Sequence, residues 1–152
     1  MVEIREKDQN DDTEEVVSLA TEDLRRIYRP CAHATGKPPS GHSLTTLVAV
    51  KDKNIVGVIE YFAGDGAIHF QGLAVHPVYR RQGIASVLVK EIESIAIRLG
   101  AQKVVLNTIL ETGNPGMFTK LGYEITSVVP ASDFEGLDGK QVTKVGMRRI
   151  LA

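Results

Sequence analysis

One stretch constrains this chain more than any other. An apolar run from Phe70 to Val75 leads into His76-Pro77, then into Arg80-Arg81-Gln82-Gly83, and then into an amphipathic segment. The apolar run reads as a strand. The segment after it places Ile84, Leu88, Ile92, Ile95 and Leu99 on one face with Gly100 just beyond, so a helix is predicted over 83–99. A strand, a glycine-bearing turn and a helix N-terminus together make an anion site. The first N–H groups of a helix have no partner inside it and carry the positive end of its dipole. Gly83 lets the backbone come close, Ala85 leaves the first turn uncrowded, and Arg80 and Arg81 add positive charge. A buried-type strand over 104–109 completes a βαβ crossover.

Around this unit the patterns read as a single domain over 1–152. Residues 2–5 alternate as a half-buried strand does, and 8–12 form a polar turn in which Asp11 with Glu14, or Asp12 with Glu15, would cap a helix. That helix is expected to reach about Tyr28, with Val16, Ala20, Leu24 and Ile27 as its apolar stripe and Pro30 as its stop. Residues 30–43 are a loop rich in Pro, Gly, Ser and His. Strands follow over 44–50, 55–62 and 67–75, joined by turns at 51–54 and 64–66. Gly72, inside the third of them, marks a bulge or the close approach of a ligand. After 104–109, a short helix starts near Asn114-Pro115 and ends at Gly122, a strand covers 123–129, a loop covers 130–140 and a last strand covers 141–150.

Composition narrows the function classes. Eighteen basic against nineteen acidic residues give no overall attraction to nucleic acid or an anionic membrane. The N-terminus has no apolar signal core and no run reaches membrane-spanning length, so a cytoplasmic protein is expected. The one cysteine, Cys31, excludes an internal disulfide. With His33 and His42 it forms no zinc-like spacing, so no metal is expected; all three read as loop residues.

Three segments in order carry a resemblance: Leu73-Ala-Val-x-Pro, then Arg80-Arg81-Gln82-Gly83-Ile84-Ala85 as (Gln/Arg)-x-x-Gly-x-(Gly/Ala), then Phe118-Thr-Lys-Leu-Gly-Tyr123. On these the chain resembles the GNAT N-acetyltransferase superfamily, over about 67–129. The resemblance implies an α/β (α+β) fold: a central mixed, mostly antiparallel sheet of about seven strands with helices on both faces, in which one strand splays from its neighbour. It implies acetyl-CoA as acyl donor, and a small-molecule or peptide amine as acceptor that attacks the thioester directly in a ternary complex. Members are often homodimers. The diphosphate would meet Gln82, Gly83, Ile84, Ala85 and Ser86, beside Arg80 and Arg81. Pantetheine would run along Leu73, Ala74 and Val75, and Phe118 stands where many members use a tyrosine to protonate the leaving thiolate.

An alkyl ammonium has a pKa of ~10, so a base must take its proton at neutral pH. His69 falls where some members place a catalytic glutamate, and by the period of two it shares a strand face with Gln71, Leu73 and Val75. A half-buried sheet histidine is the competing reading. Glu60 and Glu111 are reserve bases. Three carboxylates in 132–138 would attract a cationic amine, or are simply a solvated loop. With Phe118 unable to give a proton, an acyl-CoA-binding regulatory module with little turnover is the alternative. A dinucleotide oxidoreductase fits poorly, since the turn lacks a full Gly-x-Gly-x-x-Gly.

Overall fold

The computed structural model describes residues 2–31 and 42–151. Along the chain run β1 (Glu3–Glu6), α1 (Glu14–Thr21), β2 (Tyr28–Pro30), β3 (Thr45–Lys51), β4 (Asn54–Gly64), β5 (Ala67–Val75), α2 (Ile84–Arg98), β6 (Lys103–Ile109), α3 (Asn114–Lys120), β7 (Glu124–Pro130), β8 (Phe134–Gly136) and β9 (Thr143–Ile150). Seven strands form one sheet in the order β1-β3-β4-β5-β6-β9-β7, and β2 and β8 form a second, two-stranded sheet. Every neighbouring pair in the large sheet is antiparallel except β5 and β6, which the α2 crossover makes parallel.

The turns explain the meander. Asp52 and Lys53 both adopt positive φ, as do Asp65 and Gly66, the geometry that lets a two-residue turn match the twist of its strands. One face of the sheet meets α2: Leu47, Ala49, Ile59, Ile68, Phe70, Val104, Leu106, Val145 and Met147 pack with Ile84, Leu88, Val89 and Ile92 in a single core. The alternate residues Val48, Val58 and Ala74 are buried on the other face, which α1 covers through Val16 and Ala20. Leu99, expected on the apolar stripe of α2, lies past its last turn and is 63% exposed.

Two expectations change. The helix ends at Thr21 rather than near Tyr28; a single 3-10 turn at Leu24–Arg26 follows, and the chain then extends into β2. The stretch 130–140 is not wholly loop, because β8 pairs there with β2, Tyr28 against Gly136 and Pro30 against Phe134. The Tyr28 and Phe134 rings meet edge to face at 5.3 Å and, with Ile109, Ala131 and Val142, form a second small core. Pairing and ring contact across the chain outweigh local helix preference. At α1 itself, Asp12 accepts from the Glu14 N–H, whereas Asp11 is held by Arg5 at 2.6 Å, which keeps its carboxyl at about 2, well below the usual range. The loop expected over 30–43, with His33, lies almost wholly outside the described residues.

Phe118 is 5% exposed and its ring lies 5.8 Å from Phe70 and 6.3 Å from Tyr123. Phe118→Ala should therefore cost about 3–5 kcal/mol in denaturant unfolding, as the loss of a buried aromatic does.

Candidate active site

The site is built on a fork. Strands β5 and β6 pair only at Ala67–Lys103, Ile68–Val104 and His69–Val105, then part. From Phe70 to Val75, β5 is held by β4 alone and turns its other edge into the opening. Gly72 lies in this stretch with φ +63°, and the β4–β5 register slips between Val58 and Glu60. The expected bulge is there. A Cβ on Gly72 would stand 2.8 Å from Glu60 Oε1, so any other residue would meet both strain and a clash.

The bulge changes which residues share a face. Ile68 and Phe70 point into the α2 core; beyond the extra residue, Leu73 and Val75 do so too. His69 and Gln71 therefore face the α1 side, and His69 does not share a face with Leu73 and Val75 as the unbroken period of two predicts. The side chains of Leu73 and Val75 are packing residues, and what they offer the fork is backbone.

On the α1 side, His69 pairs across the ladder with Phe62, their rings stacked 4.8 Å apart, and His42 lies 5.2 Å from the same phenyl ring. Burial lowers the His69 pKa below the ordinary histidine value, partly opposed by a hydrogen bond to the Gly64 backbone. Such a bond uses one ring N–H and leaves the other nitrogen as an acceptor. Glu60 is cross-strand from Gln71, whose Nε2 lies 3.5 Å from Glu60 Oε1. His69, Glu60 and Gln71 thus form one polar row at the head of the fork. Glu111 does not join it. Its carboxylate accepts the Thr143 N–H at 2.8 Å, which lowers its pKa and makes it a clip between the end of β6 and the start of β9.

Where β5 ends, His76 Nδ1 accepts the Val78 N–H and the chain turns into α2. Gly83, the N-cap, has φ +78° and nothing within 4 Å of where its Cβ would be. The first helical bond runs from Val87 N–H to Gly83 C=O, and no side chain caps the helix. The N–H groups of Ile84, Ala85 and Ser86 are therefore unclaimed within the helix and open to an anion.

The loop cations divide their work. Arg80 donates to the Ala20 carbonyl at 3.1 Å and stands 3.6 Å from Asp23, bracing the C-terminus of α1 instead of standing free for a phosphate. Arg81 is exposed and has no ion pair among the described residues, and its φ of +65° is strained for so bulky a side chain. Lys51, which the sequence did not single out, donates to Gln82 Oε1 at 2.6 Å and brings a second cation to the loop from the end of β3. Neither aromatic of the 118–123 segment is a proton donor to the fork. Phe118 is core, and Tyr123 donates to Glu93 at 2.8 Å in a triad with Arg149, its pKa driven far up by burial. In the 132–138 segment, Glu135 is neutralised by Arg29 at 3.0 Å. Cys31 is half-buried and its N–H donates to the Asp133 carbonyl. Among the described residues no group of side chains suits a metal ion, and no helix is long and apolar enough to cross a membrane.

Residues 6–123 match the model of the Acetyltransferase (GNAT) family. Solved structures share the fold over nearly the whole chain. The smu.2055 protein of Streptococcus mutans UA159 is 23% identical, with 99% of each chain covered and a TM-score of 0.76. A GNAT family acetyltransferase from Elizabethkingia anophelis, solved with acetyl-CoA bound, is 17% identical, with 99% of this chain and 98% of that one covered and a TM-score of 0.69. The ribosomal-protein-S18-alanine N-acetyltransferase of Escherichia coli is 14% identical, with 100% and 95% covered and a TM-score of 0.70.

The two arginines should separate in experiment. Arg81→Gly removes a cation but relieves a left-handed backbone that costs of order 1 kcal/mol, so CoA affinity by calorimetry should fall while the melting temperature holds or rises. Arg80→Ala should do the reverse, lowering stability by up to about 1 kcal/mol with a smaller change in CoA affinity.

Proposed function

Since the chain belongs to the GNAT acetyltransferase family, whose acyl donor is acetyl-CoA, we propose that it transfers the acetyl group to a primary amine by direct attack, donor and acceptor being bound together. The observation that carries this reading is the fork. A parallel strand pair parts at His69–Val105, and the opening leads to a helix N-terminus with three unclaimed N–H groups. A diphosphate fits the second feature and an extended amide-bearing arm fits the first, through the backbone of Leu73, Ala74 and Val75. Acetyl-CoA supplies an acyl group already activated as a thioester.

The protein's own residues then have three tasks. Gln82, Gly83, Ile84, Ala85 and Ser86 hold the anion by backbone, with Arg81 and Lys51 adding charge. Glu60, at the bulge, draws the acceptor ammonium to the head of the fork. His69 takes its proton: with its pKa below the usual ~6.5, the imidazole is neutral at pH 7 and has an acceptor nitrogen. No side chain is assigned to the leaving thiolate. With a pKa of ~8.5 if it resembles cysteine, that group departs as the anion at modest cost.

The direct test is thiol release from acetyl-CoA with a panel of amines, amino acids and basic peptides. Release with any class supports the transferase; CoA binding with silence across the panel would favour a binding module instead. The pH profile tests His69. Its folded pKa is depressed, so the base is fully present above ~6.5 and is lost only as pH falls through that lower folded value. His69→Gln should lower kcat by about 10²–10⁴-fold and remove this acid limb. An unchanged rate and profile would assign the proton to another group.

A further inference from the structure

On the α1 side of the sheet, beyond the fork, lies a polar patch that acyl transfer itself does not need. Val145 and Met147 of β9 and Leu106 of β6 point into the α2 core, so Lys144, Gly146 and Asn107 face the other way. Gly146 is buried and sits between Asn107 on β6 and Ser127 on β7. A Cβ there would stand 2.5 Å from Ser127 Oγ, 3.1 Å from Thr126 Oγ1 and 3.4 Å from Asn107 Oδ1. An amide and two hydroxyls thus converge over a residue that contributes no side chain. None of the three side chains has a hydrogen-bond partner among the described residues. The β7 strand supplies both hydroxyls because its register slips between Ile125 and Ser127, opposite Gly146.

Lys144 completes the patch. It lies opposite Ile109 and Val129 on the same face, diagonal to Asn107 and Ser127, which is within reach of a long side chain. It is half-buried and has no ion pair among the described residues. The other cations of β9 are engaged, Arg148 with Glu124 and Arg149 with Glu93. Across the fork stands the opposite charge, Glu60, in the row of His69 and Gln71. Asn107 is two residues along β6 from Val105, the partner of His69, so the two rows are separated by about 7 Å along the strand. The protein thus sets a carboxylate, Glu60, on the β4 side of the opening and an ammonium, Lys144, on the β9 side.

We propose that the acceptor is an amine bearing a carboxylate a few bonds away, an aminocarboxylate. Its ammonium is drawn towards Glu60 and His69, and its carboxylate is held by Lys144, Asn107 and the hydroxyls of Ser127 and Thr126. This inference rests on the transferase reading above and adds the acceptor's chemical class. An amine without an anion leaves Lys144 unpaired; an anion without an amine has nothing to transfer to.

The experiment is thiol release with matched sets: each amino acid, its neutral amide and its decarboxylated amine. The acid form should have the highest kcat/KM, by about tenfold or more, the effect of one charge-assisted contact. Lys144→Met and Asn107→Ala should raise the KM for the acid with the acetyl-CoA KM unchanged, Lys144→Arg should retain most of the preference, and the decarboxylated amine should not distinguish Lys144→Met from wild type. Equal turnover of amide, amine and acid would overturn the aminocarboxylate assignment alone. So would a charge preference that Lys144→Met leaves intact in a variant that still binds CoA. Absence of thiol release from every member would instead overturn the transferase reading on which this one depends.

Discussion

The parting of β5 from β6 is the constraint on which the rest of the molecule depends. Backbone N–H and C=O groups inside a sheet are ordinarily paired, and leaving one unsatisfied away from water costs about 1–3 kcal/mol. Here a strand in the middle of a seven-stranded sheet has an open edge from Phe70 onward. The sheet survives because the cost is spread. Strand β4 pairs with β5 through to Val75, and β6 gains a full partner in β9, from Lys103–Ile150 to Ile109–Lys144. The open edge is then hydrated or met by a ligand with amides of its own. Phe118 reinforces the core beneath it, its ring against Phe70 on β5 and Tyr123 just before β7.

A second consequence concerns the bulge at Gly72. One extra residue turns Leu73 and Val75 into the core that Ile68 and Phe70 already occupy, so β5 keeps its hydrophobic anchor on both sides of the irregularity. The polar residues before the bulge are set on the α1 side, with Glu60 above Gly72 itself. One backbone feature thus separates polar side chains from open backbone along the strand. In the proposed reaction, the former would serve proton transfer and the latter binding.

How much of this was legible in sequence follows from the range of the interactions. The α2 stripe from Ile84 to Ile95, the glycine-bearing turn and the proline-led α3 are local patterns, and they lie where periodicity and turn chemistry put them. The parity of His69 was misread because the effect of Gly72 on register depends on pairing with β4. Strands of three residues such as β2 and β8 carry no period, and Tyr28 finds its partner more than a hundred positions away at Gly136. The partners Arg80 has in the structure, the Ala20 carbonyl of α1 and Asp23 just beyond that helix, are distant in sequence and carry no local signal. Lys51, Asn107, Ser127 and Lys144 carried no motif. They become neighbours of the site only when β3, β6, β7 and β9 are laid side by side.

The absence of a proton donor from the proposed reaction follows from the same geometry. Phe118, which the family resemblance sets where many members carry a tyrosine, is among the more buried rings of the core. A phenol there would need a hydrogen-bond partner inside an apolar cluster or a path out of it. Tyr123, the nearest phenol, is already committed to Glu93 and held protonated by burial, so it stabilises the junction of α2 with β9 rather than the reaction. The chemistry we propose for this fork is therefore asymmetric: His69 would meet the amine, where the pKa gap is large, and the sulfur, where it is small, would depart as the anion.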